Sequence, residues 1–304
     1  MKLITKCLFA SATSLFILWC AGLLCSDKWG WSQWLAWIPT LAVVILFMVA
    51  AVFARFQKMK SYLIQSIAIG CILLFYWCFN EQRIFRSANC KGKITIAGWT
   101  MSHSKKNVSK ESAEIIIGLD ADITLLTHGW YVRGEPKVRE WMDGHGRKVV
   151  SGPFTLFTKF QPIKVQSLIA ADEIYISQFI LDTTPAINDI LVIWAIDLPS
   201  SITTSKTKVA QKVRDLLLNS QITPPDVVIG DFNMTRNSSA IQTMFPDLHD
   251  AADDGGVGII GTFPMEIPIY HIDHVLLAPE LHACSYECVN PHIGRHQIQV
   301  LSIK

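Results

Sequence analysis

The chain has 304 residues, of which 50% are hydrophobic and 17% are charged, and its formal net charge is +2. This length allows one domain of roughly 200 residues and a smaller segment, and the balanced charge carries no specific signal for nucleic-acid binding. Mean hydropathy is +0.31, which is high for a soluble protein, and the apolar excess lies in residues 1–80.

Three long apolar runs make up this N-terminal region, at 7–25, 34–54 and 62–79, and none contains Asp, Glu, Lys or Arg. Each is about long enough to cross a hydrocarbon layer of ~30 Å. A cleaved signal peptide is the alternative for the first run, because Lys2 and Lys6 precede it, but no small-x-small cleavage site follows cleanly. Residues 1–80 are therefore predicted to be a membrane region with three transmembrane helices.

The distribution of basic residues predicts the orientation. Basic residues precede the first run and separate the second run from the third: Lys2, Lys6, Arg55, Lys58 and Lys60. The positive-inside rule places these segments in the cytoplasm. Four basic residues after the third run indicate the opposite orientation more weakly: Arg83, Arg86, Lys91 and Lys93. We therefore expect a multi-pass protein of the cell membrane, with the lipid bilayer as a partner and an extracytoplasmic C-terminal domain.

Three cysteines lie beyond the apolar runs, namely Cys90, Cys284 and Cys288. On one strand, Cys284 and Cys288 would be about 13 Å apart, which is too far for a disulfide. The sequence therefore predicts no disulfide framework and no zinc-site spacing.

Residues 81–93 are predicted to be a polar linker, and the alternation of strand and helix patterns begins at residue 94. Strands are predicted at 94–99, 122–127, 154–158, 163–168, 174–181, 189–196, 226–231, 269–277 and 298–303, and helices at 110–119, 206–219 and 239–244. Strands outnumber helices, and helices connect some of them. This order predicts an α/β sandwich of two packed sheets covered by helices, over residues 94–304.

The most informative stretch is Asp226-Val227-Val228-Ile229-Gly230-Asp231-Phe232-Asn233. It predicts a buried strand, and Asp231 and Asn233 leave its end on the same side. Gly230 permits close approach of a ligand or another backbone. A carboxylate beside a carboxamide suits a phosphate or a hydrated cation. A turn in which both side chains bond to nearby backbone is the alternative.

Further motifs follow in order: Gly261-Thr262-Phe263-Pro264, Ile272-Asp273-His274-Val275-Leu276 and Gly294-Arg295-His296. With Gly230-Asp231-Phe232-Asn233, this ordered set resembles the endonuclease/exonuclease/phosphatase family, the DNase-like metal-dependent phosphoesterases. The resemblance implies a four-layer α/β sandwich with two mixed sheets, a hydrolase that acts on phosphoesters, and a phosphoester-containing substrate or ligand as partner.

The resemblance also implies roles for four residues as the catalytic set. Asp231 would orient or deprotonate the attacking water, and Asn233 would bind a phosphate oxygen. Asp273 would hold His296 in the correct tautomer, and a cationic His296 would face the phosphate.

Four polar positions depart from the family pattern. His128 stands where the family has its principal Mg²⁺ ligand, a Glu, and Thr100 stands where it has Asn. Asp197 replaces the His of a Thr-His-Leu segment, and Arg295 replaces the Asp of Ser-Asp-His. The resemblance implies a divalent metal, Mg²⁺ or Mn²⁺, with Asp231 and His128 as its ligands. The imidazole weakens this expectation, because Mg²⁺ prefers carboxylate oxygens.

Two functions remain open at this point. One is a membrane-anchored phosphoesterase with an altered metal site, in which Thr100, Asn233 and Arg295 bind the substrate. The other is a catalytically inactive relative that keeps the fold as a phosphate-ligand-binding or scaffold module.

Overall fold

The computed structural model describes residues 2–88, 90–101, 109–187, 189–218 and 222–304. It consists of two compact units. The first contains Met1–Phe85, Ser201–Leu216 and Asn237–Met244, and the second contains Arg86–Ser200, Leu217–Arg236 and Phe245–Lys304.

Ten α-helices lie within the described ranges. They are α1 Lys2–Cys25, α2 Gly30–Ala36, α3 Thr40–Phe56, α4 Lys60–Tyr76, α5 Ser109–Leu119, α6 Pro136–His145, α7 Thr184–Ile187, α8 Lys206–Leu218, α9 Ser239–Met244 and α10 Ala251–Gly255. A π-helical turn, Trp77–Glu81, continues α4.

Two helical stretches in the first unit, Lys2–Cys25 and Lys60–Glu81, are long and apolar enough to cross a membrane. The pair α2 and α3 adds a third if it counts as one span, but it is bent by 61°. The predicted run 34–54 crosses this bend, and Pro39 there disfavours a continuous helix. Large apolar side chains also point outward, such as Ile45, Ile64 and Ile72, as they would in a lipid-facing surface.

Inside the first unit, an apolar cluster joins α1, α3 and α4: Ala12, Trp19, Val43, Val44, Phe47 and Leu73. The indole nitrogen of Trp19 donates to the hydroxyl of Thr40 at 2.9 Å. That hydroxyl in turn donates to the Glu81 carboxylate. These bonds satisfy polar groups that would otherwise be costly to bury among apolar helices.

The turn between α1 and α2 is polar and forms hydrogen bonds with later segments of the same unit. The carboxylate of Asp27 is 5% exposed and accepts from the hydroxyls of Ser238 and Ser239. The side-chain amide of Gln33 donates to the carbonyl of Ile202 at 2.6 Å. The first unit therefore combines the apolar helices with two segments that are distant from them in sequence.

The second unit is built on twelve strands. They are β1 Ile94–Thr100, β2 Ile123–Thr127, β3 Arg147–Ser151, β4 Phe154–Thr158, β5 Gln161–Ala171, β6 Ile174–Asp182, β7 Ile190–Asp197, β8 Val227–Asp231, β9 His249–Asp250, β10 Asp273–Leu277, β11 Ala283–Val289 and β12 Ile298–Ile303. They form two six-stranded sheets, of order β11-β12-β1-β2-β4-β3 and β5-β6-β7-β8-β10-β9.

Both sheets are mixed, because β1 pairs in parallel with β2, and β7 with β8, while the other pairs are antiparallel. A core of completely buried side chains contains residues from both sheets: Ile96, Leu125, Leu156, Phe179, Ile193, Ile229 and Leu301. The predicted α/β sandwich of two mixed sheets with flanking helices is confirmed.

Several predicted elements differ from the structure. Helix α6 and strands β3 and β11 were absent from the prediction, and β10 begins at Asp273 rather than at residue 269. Residues just before β10 pair elsewhere: the backbone N–H of Tyr270 donates to the carbonyl of Phe263 at 2.9 Å, and the N–H of Phe263 donates back at 3.0 Å. Tyr270, which the prediction placed in the strand, therefore pairs with the Gly-Thr-Phe-Pro segment instead of belonging to β10.

A disulfide joins Cys90 to Cys284, with their Cα atoms 4.8 Å apart and a sequence separation of 194. The expectation that the chain has no disulfide framework is therefore wrong. The partner lies far away in sequence because β12 pairs with both β1 and β11, and Ile303 is the register partner of Ile94 and of Ala283. Sheet pairing thus brings the start of β1 and the start of β11 to the same end of the sheet, on either side of β12.

Candidate active site

Three carboxylates form a row at one end of the second sheet. In the register of the strands, Asp231 at the end of β8 is the partner of Asp197 on β7 and of Asp273 on β10. Directly opposite residues of neighbouring strands share one face of a sheet. Strand pairing therefore gathers three acidic groups that are far apart in sequence.

Gly230, which precedes Asp231, adopts a φ of 144°. A Cβ atom at this position would lie 2.0 Å from the carbonyl oxygen of Ile196 on β7. Close approach of backbone thus explains the glycine that the sequence places before Asp231.

A series of hydrogen bonds runs from the end of β1 to His296, two residues before β12. The hydroxyl of Thr100 donates to Oδ1 of Asp273 at 2.6 Å, and Nδ1 of His296 donates to Oδ2 at 2.8 Å. The other imidazole nitrogen, Nε2, lies 4.0 Å from Oδ2 of Asp231. Asp273 thus fixes the His296 imidazole in an orientation in which Nε2 faces the buried carboxylate of Asp231.

Thr262 supports this series from the Gly-Thr-Phe-Pro motif. Its hydroxyl accepts from the backbone N–H groups of Ile272 and Asp273, at 3.1 and 3.2 Å. The sequence signalled this residue only as part of a motif, without a role. Its place beside Asp273 depends on the pairing of that motif with the residues before β10.

Electrostatics in this row follow from burial and proximity. Burial and then the charge of Asp273 raise the pKa of Asp231 well above its usual range. Burial would lower the pKa of His296, but the charge and hydrogen bond of Asp273, with the charge of Asp231, raise it to about 9. Burial would also raise the pKa of Asp273, yet the charge and hydrogen bond of His296 hold it below its usual range. At neutral pH the site holds an imidazolium between two carboxyl groups.

Asn233 follows Asp231 with a φ of 49°. Its backbone N–H donates to Oδ1 of Asp231 at 2.9 Å, and its side-chain amide donates to the carbonyl of Leu198 at 2.9 Å. Asp231 therefore makes the local bond of the turn that the sequence left open as an alternative, whereas the side chain of Asn233 bonds to a carbonyl that is distant in sequence. This arrangement leaves a second amide hydrogen on Asn233, and Oδ2 of Asp231 still faces His296.

His128 lies beside Asp197. Its Nε2 is 3.0 Å from Oδ2 of Asp197, and its ring contacts the ring of Trp130 with centroids 5.0 Å apart. Its backbone has a φ of 60°. In sequence, Asp197 is only a departure from a family motif, and strand register makes it a neighbour of Asp231.

Arg295 is exposed, and its guanidinium carbon stands 5.5 Å from the centre of the Phe263 ring. The Phe263 ring is in turn 5.1 Å from the ring of His296. The charge of Arg295 acts on His296, since it is among the influences that lower the pKa of that imidazole. The ring of Phe263 thus lies between a permanently charged guanidinium and the imidazole of His296.

The described residues contain groups of His and Asp side chains that could bind a metal ion, and Asp231, Asp273 and His296 form one of them. This group does not fit Mg²⁺, because Mg²⁺ takes oxygen ligands and an imidazolium has only N–H donors. His128 belongs to none of the groups in the described ranges that bring three ligand atoms within 4.8 Å of one another. The predicted pair of metal ligands, Asp231 and His128, stays a prediction.

No protein-family model and no curated protein sequence matches this chain. Several solved structures are similar to it, each covering more than half of the chain. A functionally unknown conserved protein from Enterococcus faecalis V583 is 12% identical with a TM-score of 0.53, and the match covers 69% of this chain and 99% of that chain.

Two further solved structures carry more informative descriptions. An endonuclease/exonuclease/phosphatase family protein from Bacteroides thetaiotaomicron is 13% identical with a TM-score of 0.50, over 69% of this chain and 94% of that one. The human Nocturnin catalytic domain with bound sulfate anion is 15% identical with a TM-score of 0.51, over 74% of this chain and 97% of that one. Identities this low show the fold alone, and the two-sheet unit of this chain therefore has the fold of the endonuclease/exonuclease/phosphatase family.

Proposed function

We propose that the two-sheet unit hydrolyses phosphoesters at an altered metal site, and that the apolar helices anchor the protein in a membrane. One observation carries the proposal: Thr100, Asp273 and His296 form a hydrogen-bonded series whose free imidazole edge lies 4.0 Å from Asp231. Hydrolysis of a phosphoester needs a base for water and a positive charge for the phosphate, and this series offers both.

The base is Asp231. Its raised pKa makes it a stronger proton acceptor than an ordinary carboxylate, and a base works best when its pKa approaches the working pH. Asp231 takes the proton of the attacking water. The hydrogen bond from Asn233 to Oδ1 leaves Oδ2 to receive that proton.

The positive charge comes from His296 and Arg295. His296 is held as an imidazolium by Asp273, and its Nε2 hydrogen is directed at a phosphate oxygen. Arg295, seated over Phe263, forks two hydrogen bonds to phosphate and thus supplies part of the charge that a metal ion provides in the related enzymes. The remaining amide hydrogen of Asn233 binds a further phosphate oxygen.

Thr100 has a different role from the one first expected. Its hydroxyl donates to Asp273, so we assign it as a positioning residue that fixes the carboxylate. Substrate binding by Thr100 stays a prediction.

If the site does take a metal through Asp231 and His128, the identity of the ion follows from ligand chemistry. Imidazole suits Mn²⁺ or Zn²⁺ better than Mg²⁺. Calorimetry on the whole chain in detergent tests this order, and tighter binding of Mg²⁺ than of Mn²⁺ would exclude His128 as a ligand.

The second candidate function is an inactive module that binds a phosphate-bearing ligand. The contact of His128 with Asp197, 3.0 Å from Nε2 to Oδ2, favours it, because both positions depart from the family pattern. Nocturnin binds a sulfate anion in its solved structure, and a tetrahedral anion is the ligand that either function requires.

We place the two-sheet unit on the extracytoplasmic side. The disulfide between Cys90 and Cys284 supports this placement, because disulfides persist in oxidising compartments and are rare in the cytosol. Two of the four basic residues that argued against it form hydrogen bonds with backbone carbonyls. The guanidinium of Arg83 donates to the carbonyl of Asn80 at 2.6 Å, as a helix C-terminal cap, and that of Arg86 donates to the carbonyl of Asp253 at 2.6 Å.

Hydrolysis of bis(p-nitrophenyl) phosphate by the whole chain in detergent micelles tests the proposed activity, with and without a chelator. We expect turnover by the unaltered protein, and a loss of about 100-fold or more in Asp231→Asn and His296→Gln, because acid–base groups contribute that much. Arg139→Ala, a change of an exposed arginine away from the row, is the control. Binding of the probe without turnover would establish the inactive module instead.

A further inference from the structure

A second group of chemically active side chains lies outside the proposed catalytic row. Asp250 ends β9, His274 is the second residue of β10, and His271 stands just before that strand. His271 is 7% exposed and His274 is 1% exposed. One ligand atom from each of the three residues lies within 4.8 Å of the others.

Backbone carbonyls set the tautomer of both imidazoles. Nε2 of His274 lies 2.9 Å from the carbonyl oxygen of Met234, and Nδ1 of His271 bonds to the carbonyl oxygen of Ile260. A carbonyl only accepts hydrogen bonds, so each of these nitrogens carries the hydrogen. In the neutral ring the other nitrogen then presents a lone pair.

Both of these nitrogens are buried, and neither accepts a hydrogen bond from a described residue. Nε2 of His271 and Nδ1 of His274 are buried without a hydrogen-bond partner among the residues that the structure describes. Nδ1 of His274 faces Oδ2 of Asp250 at 3.5 Å. The three residues each place one ligand atom within 4.8 Å of the others, and a single water could donate to only two of these three groups.

We propose that Asp250, His271 and His274 bind a Zn²⁺ ion at a structural site. Two imidazole nitrogens and one carboxylate oxygen are ligands that suit Zn²⁺. At bond lengths of ~2.1 Å, two ligand atoms of a tetrahedral Zn²⁺ lie about 3.4 Å apart, close to the 3.5 Å between His274 and Asp250. The carbonyls that hold the far nitrogens are the outer partners that zinc-binding histidines commonly have.

A fixed cation lies beside the carboxylate of this group. Arg236 lies 3.6 Å from Oδ2 of Asp250 and shares that negative charge with the ion.

The proposed zinc site is independent of the proposed hydrolysis. Successive residues of a strand point to opposite faces of the sheet, so His274 and its neighbour Asp273 face away from each other. The ion would join β9, β10 and the segment that holds His271, with almost no exposure to solvent. We therefore assign it a structural role.

Calorimetric titration of the chelator-treated whole chain with Zn²⁺ in detergent tests the proposal. The experiment uses the His282→Ala background, because His249, Asp254 and the 58% exposed His282 form a surface group that could also bind metal. In that background, His271→Gln and His274→Gln should each weaken zinc binding by about 100-fold or more, since even loss of an outer partner weakens it 10–100-fold. The exposed Asp247→Asn should leave the affinity unchanged.

X-ray absorption at the zinc edge keeps the test decisive if the buried variants fail to fold. The His282→Ala protein should hold zinc with two imidazole ligands, whereas the group of Asp231, Asp273 and His296 offers only one. Zinc with one imidazole or none, unchanged affinity in His271→Gln, or no zinc binding at all would each overturn the proposal.

Discussion

The imidazole of His296 donates from Nδ1 to Oδ2 of Asp273 at 2.8 Å, and the side chains are 6% and 1% exposed. An imidazole this buried is normally neutral, because burial disfavours its charged form. Here the carboxylate outweighs burial, and the pKa of His296 rises to about 9. Asp273 thus keeps His296 positively charged at neutral pH, and the proposed hydrolysis needs that charge for the phosphate.

Asp273→Asn should lower the pKa of His296 from about 9 to below its ordinary value of ~6.5, because only burial and a weakened electrostatic field then remain. NMR titration of the imidazole measures this change, with the exposed Asp247→Asn as control. In the unaltered protein the folded pKa exceeds the unfolded one, so the stabilisation is complete below about pH 6.5 and is lost as the pH rises through about 9. An unchanged pKa in Asp273→Asn would contradict the pairing.

Gly230→Ala should destabilise the fold by about 3 kcal/mol or more, because the new Cβ would lie 2.0 Å from the Ile196 carbonyl oxygen. The matched control is Gly118→Ala in α5, where a Cβ meets nothing within 4 Å, and it should stabilise by about 0.5–1 kcal/mol. Denaturant unfolding measures both. Equal effects of the two substitutions would show that β8 does not require a glycine.

The disulfide predicts a count of reactive thiols. In unreduced, denatured protein, six of the eight cysteines should react with a thiol reagent, and all should react after reduction. Cys90→Ala should lower the free energy of unfolding by about 2–5 kcal/mol, and Cys284→Ala should have the same effect. Cys7→Ala is the control, since Cys7 is exposed and has a free thiol. Reaction of all cysteines without reduction would refute the bond.

Arg295 should make phosphate binding independent of a metal. Binding of a phosphate-bearing fluorescent probe should survive a chelator in the unaltered protein and fall in Arg295→Ala, because the guanidinium supplies the charge directly. Arg139→Ala is the control. The double change His128→Glu with Arg295→Asp should make binding metal-dependent and raise hydrolysis. Arg295 is only a surface residue if chelation abolishes wild-type binding and Arg295→Ala binds as before.

The predicted membrane insertion places the C-terminus of the protein outside the cytoplasm. A reporter that is active only in the cytoplasm should give no signal when fused after Lys304, and high salt should fail to release the protein from membranes. The reason is the combination of apolar helices with basic residues that flank the first and third spans. Strong reporter signal would reverse the orientation, and release by salt would exclude an integral protein.

Local signals in the sequence were enough for much of this protein. Uncharged apolar runs mark the membrane-compatible helices, and the alternation of strands and helices indicates two covered sheets. Four short ordered motifs point to the fold family that the comparisons confirm. All of these depend on residues that are neighbours along the chain, or on patterns with a fixed period. The predicted linker at 81–93 and the domain boundaries beside it stay predictions.

Strand register and long-range pairing decided the rest. The row of Asp197, Asp231 and Asp273 exists because β7, β8 and β10 align at their ends. The contact of His128 with Asp197, the Cys90–Cys284 disulfide and the convergence of Asp250, His271 and His274 likewise join residues from different elements. Periodicity reveals which way a side chain points, but a shift of one residue in register reverses that direction. Only the packed sheets determine which distant side chains meet.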